Sequence, residues 1–205
     1  MLIVFEGIDG SGKSTVLANV AGQLAAAGTD YICTSELGRT DSWSVNARQH
    51  LMAADSPVVE YAAIRGARAV HASQVIRPAL ARGDVVLMDL YLMSTLAYQS
   101  SKELPYTMIL QEHFKLNLPT PDLVILLRVD VETALHRLQR RDKRDAIDQR
   151  PLSFFRNASE GLAESSFDLA DLGLSIQPVD ANRSLQQVVS DVMLRIETVL
   201  QGAPA

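Results

Sequence analysis

The sequence predicts an α/β fold, a parallel sheet with helices on both faces, and three observations carry that prediction. Short apolar runs without polar alternation recur along the chain, as strands buried on both faces require. Helix-forming stretches separate those runs, which is the alternation of consecutive βαβ units. The first run passes through a glycine-rich turn directly into a helical stretch.

Leu2–Phe5 is the first of these strands. The good helix formers of Lys13–Ala27 follow the glycine-rich turn, and Gly28 suits the position just past a helix end. Tyr31–Thr34 is the second strand, and Pro57–Ala81 a long helix that Pro78 kinks or breaks near its end. Val85–Met88 is a third apolar run ending at Asp89, and Leu123–Val129 is a fourth, following Pro121-Asp122. Leu174–Val179 is the last strand and Leu185–Leu200 the closing amphipathic helix, with a frayed tail from Gln201.

A chain of 205 residues fits one domain spanning 1–205, and 47% hydrophobic with 21% charged residues is ordinary globular composition. The net charge of −5 gives no general reason to bind nucleic acid or an anionic membrane. No apolar run reaches membrane-spanning length and no secretory leader is visible, so the expected location is cytoplasmic. A single cysteine, Cys33, excludes an intramolecular disulfide; within its apolar run it is expected to be a buried, inert thiol.

The turn Gly7-Ile8-Asp9-Gly10-Ser11-Gly12-Lys13-Ser14 matches G-x-x-x-x-G-K-[ST] at every fixed position, between a strand and a helix where that motif must sit. Small residues let successive backbone N–H groups curl around phosphate oxygens, and the helix N-terminus adds partial positive charge. Gly7, Asp9, Gly10, Ser11, Gly12, Lys13, Ser14 and Thr15 are therefore expected to bind ATP. Lys13 would reach the β- and γ-phosphates, and the Ser14 hydroxyl would ligate Mg²⁺. Asp89, at its strand end, is placed to hold the metal's water shell; the same position also suits a helix cap.

There is no N-K-x-D guanine motif. The segment Phe5–Thr15, together with Val75–Leu80, Leu96–Gln99, Pro121–Leu123 and Phe154-Phe155, resembles thymidylate kinases over nearly the whole chain. The resemblance implies a five-stranded parallel sheet, a mobile lid, a homodimer, and transfer of the ATP γ-phosphoryl group to thymidine monophosphate. Asp9 would orient the acceptor near the γ-phosphate. Family members without a basic residue in the loop supply that charge from the lid. Here Ser11 stands in the loop, while Arg137, Arg140, Arg141 and Arg144 crowd the region 137–150. Arg137 is assigned to the nucleotide, and Arg141 and Arg144 to the transferred group. The turn Asp180-Ala181-Asn182 resembles the loop that packs on adenine.

The acceptor side departs from the family. Its Arg-Glu-Pro segment reads Ser35-Glu36-Leu37 here, and its Asp-Arg-Tyr segment reads Asp89-Leu90-Tyr91. Two phosphate-gripping guanidinium groups are thus replaced by side chains that cannot substitute for them. Glu36, Arg48, Arg68, Tyr98 and Gln99 fall where the family contacts the acceptor, and Ile64 takes the place of the base-stacking aromatic, with Tyr61 a turn earlier as a substitute. Three readings stay open. A thymidylate-like monophosphate is gripped by relocated arginines such as Arg39 or Arg65; or the acceptor is a modified or non-phosphorylated nucleoside or another small metabolite; or the chain senses ATP with little catalysis.

Overall fold

The structure, a computed structural model, describes residues 1–37, 41–53, 56–141 and 146–202. Five strands form one parallel sheet: β1 (Leu2–Glu6), β2 (Tyr31–Ser35), β3 (Val85–Asp89), β4 (Leu123–Arg128) and β5 (Ile176–Asp180). Their order is β2-β3-β1-β4-β5. β1 lies at the centre with all five residues buried, and the register sets Phe5 beside Asp89 and Ile125. This is the predicted doubly covered parallel sheet. Its uninterrupted apolar strands supply the core, with Ile3, Phe5, Val86, Leu87 and Ile125 fully inaccessible to water.

The helices are α1 (Lys13–Ala26), α2 (Ser42–Ala53), α3 (Pro57–His71), α4 (Arg77–Ala81), α5 (Leu92–Gln99), α6 (Tyr106–Lys115), α7 (Val131–Gln139), α8 (Leu152–Asp171) and α9 (Leu185–Gly202). α3 and α4 are the predicted long helix, joined by a π-helical segment at Ala72–Ile76. Pro78 has no N–H to give to the preceding turn, and the wider hydrogen-bond spacing just before it lets the chain continue instead of breaking. Ser56 caps α3, its hydroxyl accepting from Val59 N–H at 3.4 Å, with Pro57 in the first turn. α2 is capped by Asp41, whose carboxylate accepts from the Ser44 N–H at 3.1 Å and the Ser44 hydroxyl at 2.9 Å.

The expectation for Cys33 is corrected: the thiol is exposed. β2 is an edge strand, and Cys33 lines an open groove with Ser14, Ile32, Thr34 and Asp89.

Candidate active site

The C-terminal ends of β1, β3 and β4 converge on the loop between β1 and α1. That loop is held open by backbone conformation. Gly10 has φ 82°, and a Cβ there would come within 2.4 Å of the Ala134 carbonyl, so the loop is seated directly against α7. Gly12, with φ 97°, occupies the N-cap of α1; a Cβ there would meet only Arg137 Nη1, at 4.0 Å. The space above the helix N-terminus is a cradle for an anion.

Lys13 is buried, and its ammonium donates to the carbonyls of Gly7 at 2.7 Å and Ile8 at 3.1 Å, with Asp9 at 3.9 Å. Ser14 is exposed in the first turn of α1 and faces the same groove as Asp89. Asp89 Oδ1 is buried without a hydrogen-bond partner among the described residues. Burial raises this carboxyl above its ordinary value, Lys13 opposes the rise and Asp9 adds to it. An orphaned carboxylate oxygen opposite an exposed serine hydroxyl fits a divalent cation, which at such sites takes its remaining ligands from phosphates and water.

Arg137 bridges two loops of the chain. From α7 its guanidinium donates to Ser11 O at 3.3 Å and Ala181 O at 2.9 Å, tying the phosphate loop to the turn after β5. A cavity of about 240 Å³ lies there, lined by Ser11, Gly12, Thr15, Arg137 and Ala181.

A second cavity, about 320 Å³, opens on the other side of Asp9. It gathers Asp9, Glu36, Ile64, Arg68, Asp89, Tyr98 and Gln99 from five separate segments, so most of the residues that the sequence assigns to the acceptor meet in one place. Gln99 donates to Glu60 Oε2 at 3.0 Å, and Tyr98 packs on Phe154 with ring centroids 5.4 Å apart. Burial, reinforced by the charges of Asp9 and Glu6, holds the Tyr98 phenol well above its usual range.

Arg68 lines the cavity with its guanidinium already engaged: it is 3% exposed, and Glu36 holds it through bonds of 2.5 and 3.0 Å, while Tyr91 O and Thr95 Oγ1 accept at 3.1 and 2.6 Å. Glu36 and Arg68 thus form a buried strut from the end of β2 through α3 to α5, with the Arg68 guanidinium 4.9 Å from the Tyr91 ring centroid. Arg48 lies on the exposed side of α2 and does not line the cavity. Tyr61 packs in the main core, and Arg65 pairs with Glu112 at 2.9 Å, so neither substitutes at the acceptor. Arg141 is exposed, pairs with Asp148 at 3.6 Å and lines neither cavity. Arg39 and Arg144 lie outside the described residues.

Sequence reasoning missed Leu51, Glu60, Thr95, Arg150 and Phe154, all of which line this second cavity. It also missed Glu6. This carboxylate is wholly buried and accepts from Tyr91 N–H at 2.9 Å and from the Ser94 hydroxyl, capping the start of α5. The bond fixes the turn after Asp89, where Leu90 takes φ 64° while its own N–H donates to Phe5 O at 3.0 Å. A left-handed leucine costs roughly 1–2 kcal/mol.

Burial raises the Glu6 carboxyl from 4.5 to about 7, with the Ser94 and Tyr91 bonds and Lys13 opposing the rise. The folded chain then holds a proton that the unfolded chain releases, so stability from this group falls as pH rises from 4.5 to about 7. The size is roughly 3 kcal/mol. His113 acts in the opposite sense. Burial, aided by Arg68, lowers it to about 3, so its contribution is present above pH 6.5 and lost on acidification. Comparison with Glu6→Gln cancels the histidine. Between pH 4.5 and pH 7.5 the variant is expected to gain about 3 kcal/mol on the wild type in guanidinium unfolding; a constant difference across that range would contradict the assignment.

Comparison with known proteins agrees with this arrangement. The family description thymidylate kinase matches residues 5–192. The thymidylate kinase of Caulobacter vibrioides is 37% identical over 204 residues, covering 94% of this chain and 95% of that relative. That of Exiguobacterium sp. is 33% identical, covering 98% and 97%. A probable thymidylate kinase of Archaeoglobus fulgidus is also 33% identical, covering 98% and 96%.

Proposed function

Because this chain belongs to the thymidylate kinase family, we propose that it transfers the γ-phosphoryl group of ATP to thymidine monophosphate. The observation that carries the reading is the position of Asp9. It sits within the phosphate loop and also lines the acceptor cavity, so donor and acceptor sites meet at one residue.

The cradle at Gly10–Gly12 and the N-terminus of α1 bind the donor phosphates through backbone N–H groups. Lys13 exchanges its carbonyl partners for phosphate oxygens and follows the charge that develops on the transferred group. Asp9 orients the acceptor oxygen toward the γ-phosphorus, and the roof formed by Tyr98 and Phe154 limits water at the reacting centre. Ser14 and Asp89 would hold Mg²⁺, which when bound screens the phosphate oxygens. Arg137 fixes the loop from the nucleotide side through its bonds to Ser11 O and Ala181 O.

A homodimer in the cytoplasm, acting on small molecules and not on nucleic acid or membrane, belongs to the same reading. It is supported by the family, and no helix among the described residues is long and apolar enough to cross a membrane. The test is a coupled ADP-release assay across nucleosides and nucleoside monophosphates. Thymidine monophosphate is expected to be the best acceptor. Turnover of a nucleoside with none of any monophosphate would overturn the proposal, as would ATP binding without turnover of any acceptor.

A further inference from the structure

The acceptor cavity is short of positive charge. Four carboxylates line it, Asp9, Glu36, Glu60 and Asp89, against two guanidinium groups, Arg68 and Arg150. Arg68 is committed to Glu36. The side chains that flank Asp89 are uncharged, Ser35 across the β2–β3 pairing and Leu90 next in the chain. A monophosphate is a dianion, and placing one against these carboxylates needs a cation that the strut does not neutralise.

Arg150 meets that need. It stands two residues before α8, and its guanidinium carbon lies 5.0 Å from the centroid of the Phe154 ring. Its Nη2 reaches Leu51 O at 3.5 Å, the long limit of a hydrogen bond. No carboxylate pairs with it among the described residues. A guanidinium resting on an aromatic face is located by that ring yet keeps its donors for an anion. Phe154 packs in turn on Tyr98, which feels the charge of Asp9, so the two rings connect Arg150 with the phosphate loop.

The geometry points to Arg150 as the residue that holds the phosphate of the acceptor, from the lid side of the cavity instead of from positions 35 and 90. This rests on the monophosphate acceptor proposed above. Releasing Leu51 O breaks one weak contact, and rotation of the side chain about its own bonds then turns the fork into the cavity.

Isothermal titration of thymidine monophosphate and of thymidine separates phosphate binding from packing. The proteins compared are the unaltered chain, Arg150→Ala, Arg150→Lys, and Arg156→Ala as a control at an exposed pair with Glu132. Arg150→Ala is expected to weaken the monophosphate roughly 10–100-fold and thymidine by less than about threefold. Arg150→Lys should restore part of the loss, because it returns the charge without the fork, and Arg156→Ala should match the unaltered protein. Equal loss for both ligands would overturn the assignment in favour of packing on Phe154. Unchanged monophosphate affinity in Arg150→Ala would overturn Arg150's role alone. If the unaltered protein binds no thymidine monophosphate, the proposed acceptor falls, and the assignment of Arg150 with it.

Discussion

Lys13→Met is expected to lower kcat by roughly a thousand-fold while the protein stays folded. In the structure the ammonium is buried beneath the loop and bonded only to main-chain carbonyls, close to Asp9. Those bonds hold it at the place where donor phosphates must enter, and no other ammonium lies in the loop. Methionine keeps the aliphatic stem and its packing but removes the charge that stabilises the transferring group. Binding of ATP should weaken far less than turnover, because the backbone cradle and Arg137 remain. Steady-state ADP release gives kcat, and melting followed by circular dichroism tests the fold. A loss in kcat below tenfold would mean that another group carries the charge.

Arg68→Ala is expected to be the most destabilising single substitution near the site, by about 3–5 kcal/mol. It strands Glu36, which is 4% exposed, and removes the donors that Thr95 and Tyr91 O accept. Burial already raises the Glu36 carboxyl, and Arg68 is the group that opposes the rise. Without the arginine the folded chain takes up a proton there more readily. The deficit should therefore shrink as pH falls and widen toward neutrality. Urea unfolding at two pH values measures both effects. The double substitution Glu36→Leu with Arg68→Met should recover most of the loss, since an apolar pair of similar size leaves nothing unpaired. A double variant as unstable as Arg68→Ala would show that Thr95 and Tyr91 O, not Glu36, are what the arginine satisfies.

The central strands and the phosphate loop were legible in the sequence because their signals are local. Leu2–Phe5 and Val85–Met88 are apolar throughout, and the loop's spacing is fixed by the phosphate it must surround. The helices α2, α5, α6, α7 and α8 were not legible. α5 buries six of its eight residues, so it shows no polar face from which to read a period. Its start is capped not by its own N-cap residue but by Glu6, 85 positions from Tyr91 in the chain. Asp41 before Ser42 was a readable cap that passed without notice.

The site was legible as a set of residues more than as a set of roles. Asp9, Lys13, Asp89, Tyr98 and Gln99 meet as expected, and so do Glu36 and Arg68. A sequence does not say with whom a guanidinium is paired. Arg68, assigned to the substrate, lines the cavity but is also paired with Glu36, while Arg150, within the basic region 137–150, was given no role and lines the same cavity. Cys33 failed for a related reason, since membership of an apolar run does not reveal that the run lies at the edge of the sheet.

The turn at Leu90 carries a consequence for how acceptor choice changes. Its shape is held by two hydrogen bonds donated by main-chain N–H groups, Leu90 N–H to Phe5 O and Tyr91 N–H to the Glu6 carboxylate, and neither involves the side chain at 90. The turn is thus a rigid socket into which different side chains plug. Exchange at that one position re-equips the acceptor chamber while the sheet, the strut and the donor machinery stay as they are. For the protein engineer, residue 90 is an interchangeable fitting on a fixed mount, and the mount is Glu6.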